Sequence, residues 1–108
     1  MPLQYDIITK GTGPCPKAGD SVTVRAAGFF PDGRIFWPAK GGTESFSFRV
    51  GLGHVIRGWD EVVLQMPLGE KAKIAMTSEY AYGTKGFPEW GIEPGASLVF
   101  EMELVAIN

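Results

Sequence analysis

His54–Met66, HVIRGWDEVVLQM, is the one stretch of this chain with helical spacing. Val55, Trp59, Val62, Val63 and Met66 fall at i, i+4, i+7, i+8 and i+11, a single apolar stripe of 3.6-residue period. Asp60 and Glu61 sit in the first turn, where the helix dipole favours carboxylates. Pro67 and Gly69 end the element. A helix of about eight residues is marginal alone in water, so the stripe must rest on an apolar surface. Its bulk is loaded at the front, in Val55, Ile56 and Trp59.

The rest of the chain supplies that surface with a period of two. LQYDIIT (3–9) sets Leu3, Tyr5 and Ile7 on one face, and SVTVRAAG (21–28) sets Val22, Val24 and Ala26. FSFRV (46–50) groups Phe46, Phe48 and Val50; KAKIAMT (71–77) opposes Ala72, Ile74 and Met76 to Lys71 and Lys73. SLVFEMELVAI (97–107) aligns Leu98, Phe100, Met102, Leu104 and Ala106. Alternation of this kind marks half-buried antiparallel strands. Pro31-Asp32-Gly33 is a tight turn, and residues 38–45 and 83–96 read as loops. The 15 glycines and 8 prolines, against roughly 8 and 5 at average usage, fit a turn-rich fold and not a helix bundle. The expected architecture is therefore α+β: one twisted antiparallel sheet wrapped around one short helix, in a single domain over residues 1–108.

Composition narrows the function classes. Net charge is −2 with acids and bases interleaved, which argues against nucleic acid as a partner. One cysteine, Cys15, and one histidine, His54, leave no disulfide and no metal cluster to expect. No apolar run approaches the roughly 18 residues of a membrane helix, and MPLQYDIITK lacks signal-peptide character, so a cytoplasmic location is expected. No nucleophile constellation stands out: Cys15 reads as a loop thiol and His54 as a turn or rim residue. Gly51-x-Gly53 lacks the strand and long helix of a dinucleotide site. What remains is aromatic density, with 7 phenylalanines, 3 tryptophans and 3 tyrosines. Core packing explains Phe48. For Trp59, at the helix start beside loops, a pocket floor is as good a reading as core.

These residues carry a resemblance. VIRGWDEVVLQMPLGEKAKI, EYAYG, PGASLVFEMELVAI and the earlier KAGDSVTVRAAGFFPDGRIF resemble the FKBP-type peptidyl-prolyl cis-trans isomerases, over essentially the whole chain. The resemblance implies that Trp59 floors a proline pocket lined by Val55 and Ile56, with the Ile56 N–H as a donor. It implies that Tyr82 offers its hydroxyl and that Phe36, Phe46 and Phe100 form aromatic walls, with Tyr82, Phe36, Trp59 and Phe100 the catalytic set. Phe87, Trp90 and Ile92 would rim the pocket from the family's flap. Two positions depart: Ala26 stands where the family has a tyrosine, and Trp37 where it has an acid. The resemblance implies proline-containing peptides or proteins as substrates, no cofactor, and a monomer. With that polar corner replaced, slower isomerisation and weak tacrolimus or rapamycin binding are expected. Two other readings are a proline-peptide binding module that uses the same pocket without the chemistry, and a protein-binding flap built on Phe87 and Trp90.

Overall fold

The computed structural model describes residues 3–38 and 41–107. Six strands form one sheet: β1 (Leu3–Thr9), β2 (Ser21–Phe29), β3 (Ile35–Trp37), β4 (Glu44–Arg49), β5 (Lys71–Met76) and β6 (Leu98–Ile107). Every pairing is antiparallel, in the order β1-β5-β6-β2-β3, with β4 also paired to β2. One α-helix, α1 (Arg57–Val63), is described. Short 3₁₀ turns occupy Ser78–Tyr80 and Pro88–Trp90. The expected α+β fold is the observed one. No described helix is long and apolar enough to cross a membrane.

The core follows from the two periodicities. Trp59, Val62 and Val63 from α1 meet Val22, Val24, Ile74, Met76, Leu98 and Leu104 from the sheet in one buried cluster. Seven helical residues could not persist without that contact.

Three sequence expectations need correction. The helix begins at Arg57, so Val55 and Ile56 precede it. Ile56 holds an extended conformation (φ −59°, ψ 150°) as the N-cap residue, and both it and Val55 pack, partly buried, against the core. Met66 lies beyond the helix end yet is fully buried, because its N–H continues the turn onto the Val63 carbonyl at 3.1 Å. The second correction is Ile7, assigned inward by alternation but 52% exposed. β1 is an edge strand whose register with β5 shifts between Ile7 and Thr9, and only Leu3 and Tyr5 pack against the core. Of the expected loop 38–45, Glu44 and Ser45 belong to β4, and residues 39 and 40 lie outside the described residues.

The end of β2 gathers neighbouring strands at one place. Gly28 is paired with Trp37 of β3 and with Phe100 of β6; Ala26 is paired with Glu44 of β4 and Met102 of β6. Three strands thus deliver side chains to one end of the sheet. Gly28 is required there by close approach. A Cβ at this position would lie 2.6 Å from Phe36 Cζ and 2.9 Å from Phe100 Cε1.

Candidate active site

A cavity of about 430 Å³ opens over the start of α1. Trp59 forms its floor and is 6% exposed. Val55, Ile56 and His54 enter from the segment before the helix, and Phe46 and Glu44 from β4. Phe100 closes one side from β6, Trp37 another from β3, and Tyr82 and Trp90 reach in from the long loop. The segment before the helix is held by Asp60. One carboxylate oxygen accepts the Gly51 N–H and the other the Gly53 N–H, both at 2.8 Å. Both glycines have positive φ, 82° and 74°, so the turn between them could not be built from side-chain-bearing residues without strain.

Rings fix the floor from several directions. Phe100 meets Trp59 edge-on at 5.4 Å between centroids, and Phe46 does so at 5.8 Å. Trp37 stands edge-on to Trp59 at 6.0 Å and stacks beside Trp90 at 6.3 Å and 27°. Such geometries align ring edges with ring faces and lock orientation as well as bury area. Trp59 Nε1 is buried without a hydrogen-bond partner among the described residues.

The electrostatics are simple. Burial holds the Tyr82 hydroxyl above the usual tyrosine range, so it stays protonated and able to donate at neutral pH. Ile56 precedes the first helical turn, so the helix offers its N–H no carbonyl. Cys15 is exposed and not part of the cavity wall that carries His54. Among the described residues no group of His, Cys, Asp or Glu could hold a metal ion. The cavity can therefore bind, orient and desolvate a ligand.

The structure brings together Trp37, Phe46, Val55, Ile56, Trp59, Tyr82, Trp90 and Phe100. Phe36 sits one layer behind the wall, 8% exposed and packed on Phe30, Trp90 and Phe100. Phe87 braces Tyr82 from behind, rings stacked at 5.3 Å and 15°. Ile92, expected at the rim, is 2% exposed and does not line the cavity. The backbone pairing between Phe87 and Ile92 folds the loop back and draws Ile92 inward. Ala26 is also buried away from the wall, in β2, where β4 and β6 flank it on either side. Sequence reasoning missed Glu44 as a wall residue. Its only signal was the β4 register, which no local pattern reveals.

The matching protein-family model is FKBP-type peptidyl-prolyl cis-trans isomerase, over residues 13–105. The chain is 45% identical over 112 residues to an Arabidopsis thaliana protein named peptidyl-prolyl cis-trans isomerase FKBP12, with all of both chains covered. It is 44% identical over 109 residues to an Emericella nidulans protein named FK506-binding protein 1A, again with both chains covered in full. Among solved structures it is similar to a peptidyl-prolyl cis-trans isomerase from Pseudomonas syringae pv. tomato. The TM-score there is 0.84 at 38% identity, covering 98% of this chain and 75% of that one.

Proposed function

Since this chain belongs to the FKBP-type peptidyl-prolyl cis-trans isomerases, we propose that it isomerises X-Pro bonds in proteins within the cavity over Trp59. The observation that carries this reading is the open apolar cavity of about 430 Å³ on a buried tryptophan floor. A proline ring stacks on that floor between Val55, Ile56, Phe46 and Phe100.

The chemistry needs no reagent. Rotation of a peptide bond faces a barrier of about 18–20 kcal/mol because twisting destroys amide resonance. The planar amide is more charge-separated than the twisted one. A dry apolar site therefore disfavours the planar ground state relative to the twisted state, which is selective binding of the transition state. The Ile56 N–H and the Tyr82 hydroxyl donate to substrate carbonyls and hold the chain on either side of the rotating bond. Trp37 occupies the place of the family's acid and serves as wall, not as a polar contact.

Line-shape or exchange NMR on a short Ala-Leu-Pro-Phe peptide tests the proposal. Faster cis-trans exchange at micromolar folded protein is expected; an unchanged rate would sink it. A second reading is a proline-peptide binding module, and the edge-on contact of Trp37 with Trp59 favours it, because it narrows the floor. In that case the peptide binds and its exchange rate stays at the uncatalysed value. Under either reading tacrolimus and rapamycin bind weakly, since the acid that would meet them is replaced.

A further inference from the structure

A second cavity, of about 290 Å³, lies between β1 and α1 and shares no lining residue with the one over Trp59. Leu3, Tyr5 and Ile7 line it from β1, Glu61 and Val62 from α1, and Glu70 from just before β5. β1 is the outermost strand on this side: it pairs with β5 along one edge and with no described strand along the other. An open edge offers a row of backbone N–H and C=O groups to any extended chain. Such edges are often blunted by lysine or proline, and LQYDIIT holds neither. The register shift between Ile7 and Thr9 leaves Leu3–Ile7 as the regular stretch. Ile7 lines the cavity yet stays 52% exposed, because the sheet stops before covering it. A strand added beside β1 would cover it.

We propose that β1 and α1 form a groove for an extended peptide segment of a partner protein, which adds to β1 as a further strand and lays an aliphatic side chain over Ile7 and Val62. Charge sets the kind of segment. Glu61 and Glu70 line the groove, Asp6 lies on the strand itself, and among the described residues no lysine or arginine lines the groove. Both glutamates keep the partners they have, Arg57 and the Tyr5 hydroxyl, so no ion pair with the peptide is needed. Their effect is exclusion: an acid on the incoming strand is disfavoured, and a neutral or basic strand is accepted. The same effect disfavours a second copy, whose β1 carries Asp6 and comes from a chain of net charge −2. The inference goes beyond the isomerase reading and does not depend on it, since the segment needs no proline.

The test titrates the labelled protein with capped Lys-Val-Thr-Ile-Thr-Val-Lys and follows backbone amide shifts by NMR. The amides of Leu3 to Ile7 are expected to shift. Replacing the central isoleucine of the peptide by glutamine should weaken binding about tenfold, the scale of one buried aliphatic side chain. Glutamate there should weaken it further. N-methylation along one edge of the peptide should abolish binding and along the other should leave it intact. Ile7→Lys should weaken binding about fivefold or more while its exchange rate on a proline peptide matches the parent's. No β1 shift at about millimolar peptide overturns the proposal, as do shifts confined to the cavity over Trp59 or an Ile7→Lys variant that binds as well as the parent. β1 shifts that depend on protein concentration without peptide would make a second copy the occupant and overturn it too.

Discussion

Trp37 stands edge-on to Trp59, with ring centres 6.0 Å apart and planes at 61°. Both rings line the cavity, Trp59 buried beneath it and Trp37 reaching in from β3. The contact joins β3 to α1 beside the cavity and buries part of both rings against each other.

Replacing Trp37 with aspartate should therefore separate these effects. Trp37→Asp is expected to tighten tacrolimus binding about tenfold or more, near 1.4 kcal/mol. It should lower stability by about 1 kcal/mol through the lost ring pairs. Calorimetric titration and chemical denaturation measure the two. Unchanged drug affinity would reject the account of Trp37 as the restricting residue. Adding Ala26→Tyr should not help. Ala26 is fully buried, and filling so packed a site costs about 1–3 kcal/mol.

Asp60 ties the turn before Ile56 through two backbone N–H groups, and Asp60→Ala removes both bonds. Solvent-exposed charge-assisted bonds of this kind together contribute about 1–2 kcal/mol. Stability should fall by that amount, and KM should rise more than kcat falls, because the Ile56 donor loses its fixed position. Amide exchange at Gly51 and Gly53 is the direct readout. Protection unchanged in the variant would mean that the clamp does not hold the turn.

Gly28→Ala places a methyl group 2.6 Å from Phe36 Cζ and 2.9 Å from Phe100 Cε1. Both rings belong to packed walls and cannot retreat independently. The expected cost is about 1–3 kcal/mol of stability, with a shifted Phe100 and weaker peptide binding. A variant with the parent's unfolding midpoint and affinity would show that the rings yield freely.

The tyrosines set the alkaline limit. Burial raises Tyr82 above its ordinary value; burial first, then the hydrogen bond and charge of Glu70, raise Tyr5. Below about pH 10 both hydroxyls are protonated whether the chain is folded or not, and stability does not depend on them. Above that, the unfolded chain loses these protons first, so stability falls as pH rises through the folded values. Isomerisation should stay level from about pH 6 to 9, since Tyr82 remains a donor. Urea midpoints between about pH 8 and 11 should decline less steeply in Tyr82→Phe than in the parent. Equal slopes would contradict the burial effect.

Much of the fold could be read from local pattern. Val22 and Val24, Ile74 and Met76, and Leu98 to Leu104 alternate as they are buried, because a strand turns successive side chains to opposite faces. Trp59, at the start of a short apolar helix, could be read equally as floor or as core, and it is both buried and part of the cavity lining. Ile7 could not be placed, since its exposure depends on where the core ends beneath an edge strand. Ile92 could not be placed either, since its backbone pairing with Phe87 pulls it inward.

By itself the sequence determined the alternating strands and the presence of one short apolar helix, for these depend on residue type and spacing alone. The tertiary structure decided which side chains share one wall. Trp37, Glu44 and Phe100 lie on three different strands, and only the register of β3, β4 and β6 on β2 brings them to the same end of the sheet. Register is a property of paired strands, so no single strand could have disclosed that Trp37, Glu44 and Phe100 face the same cavity.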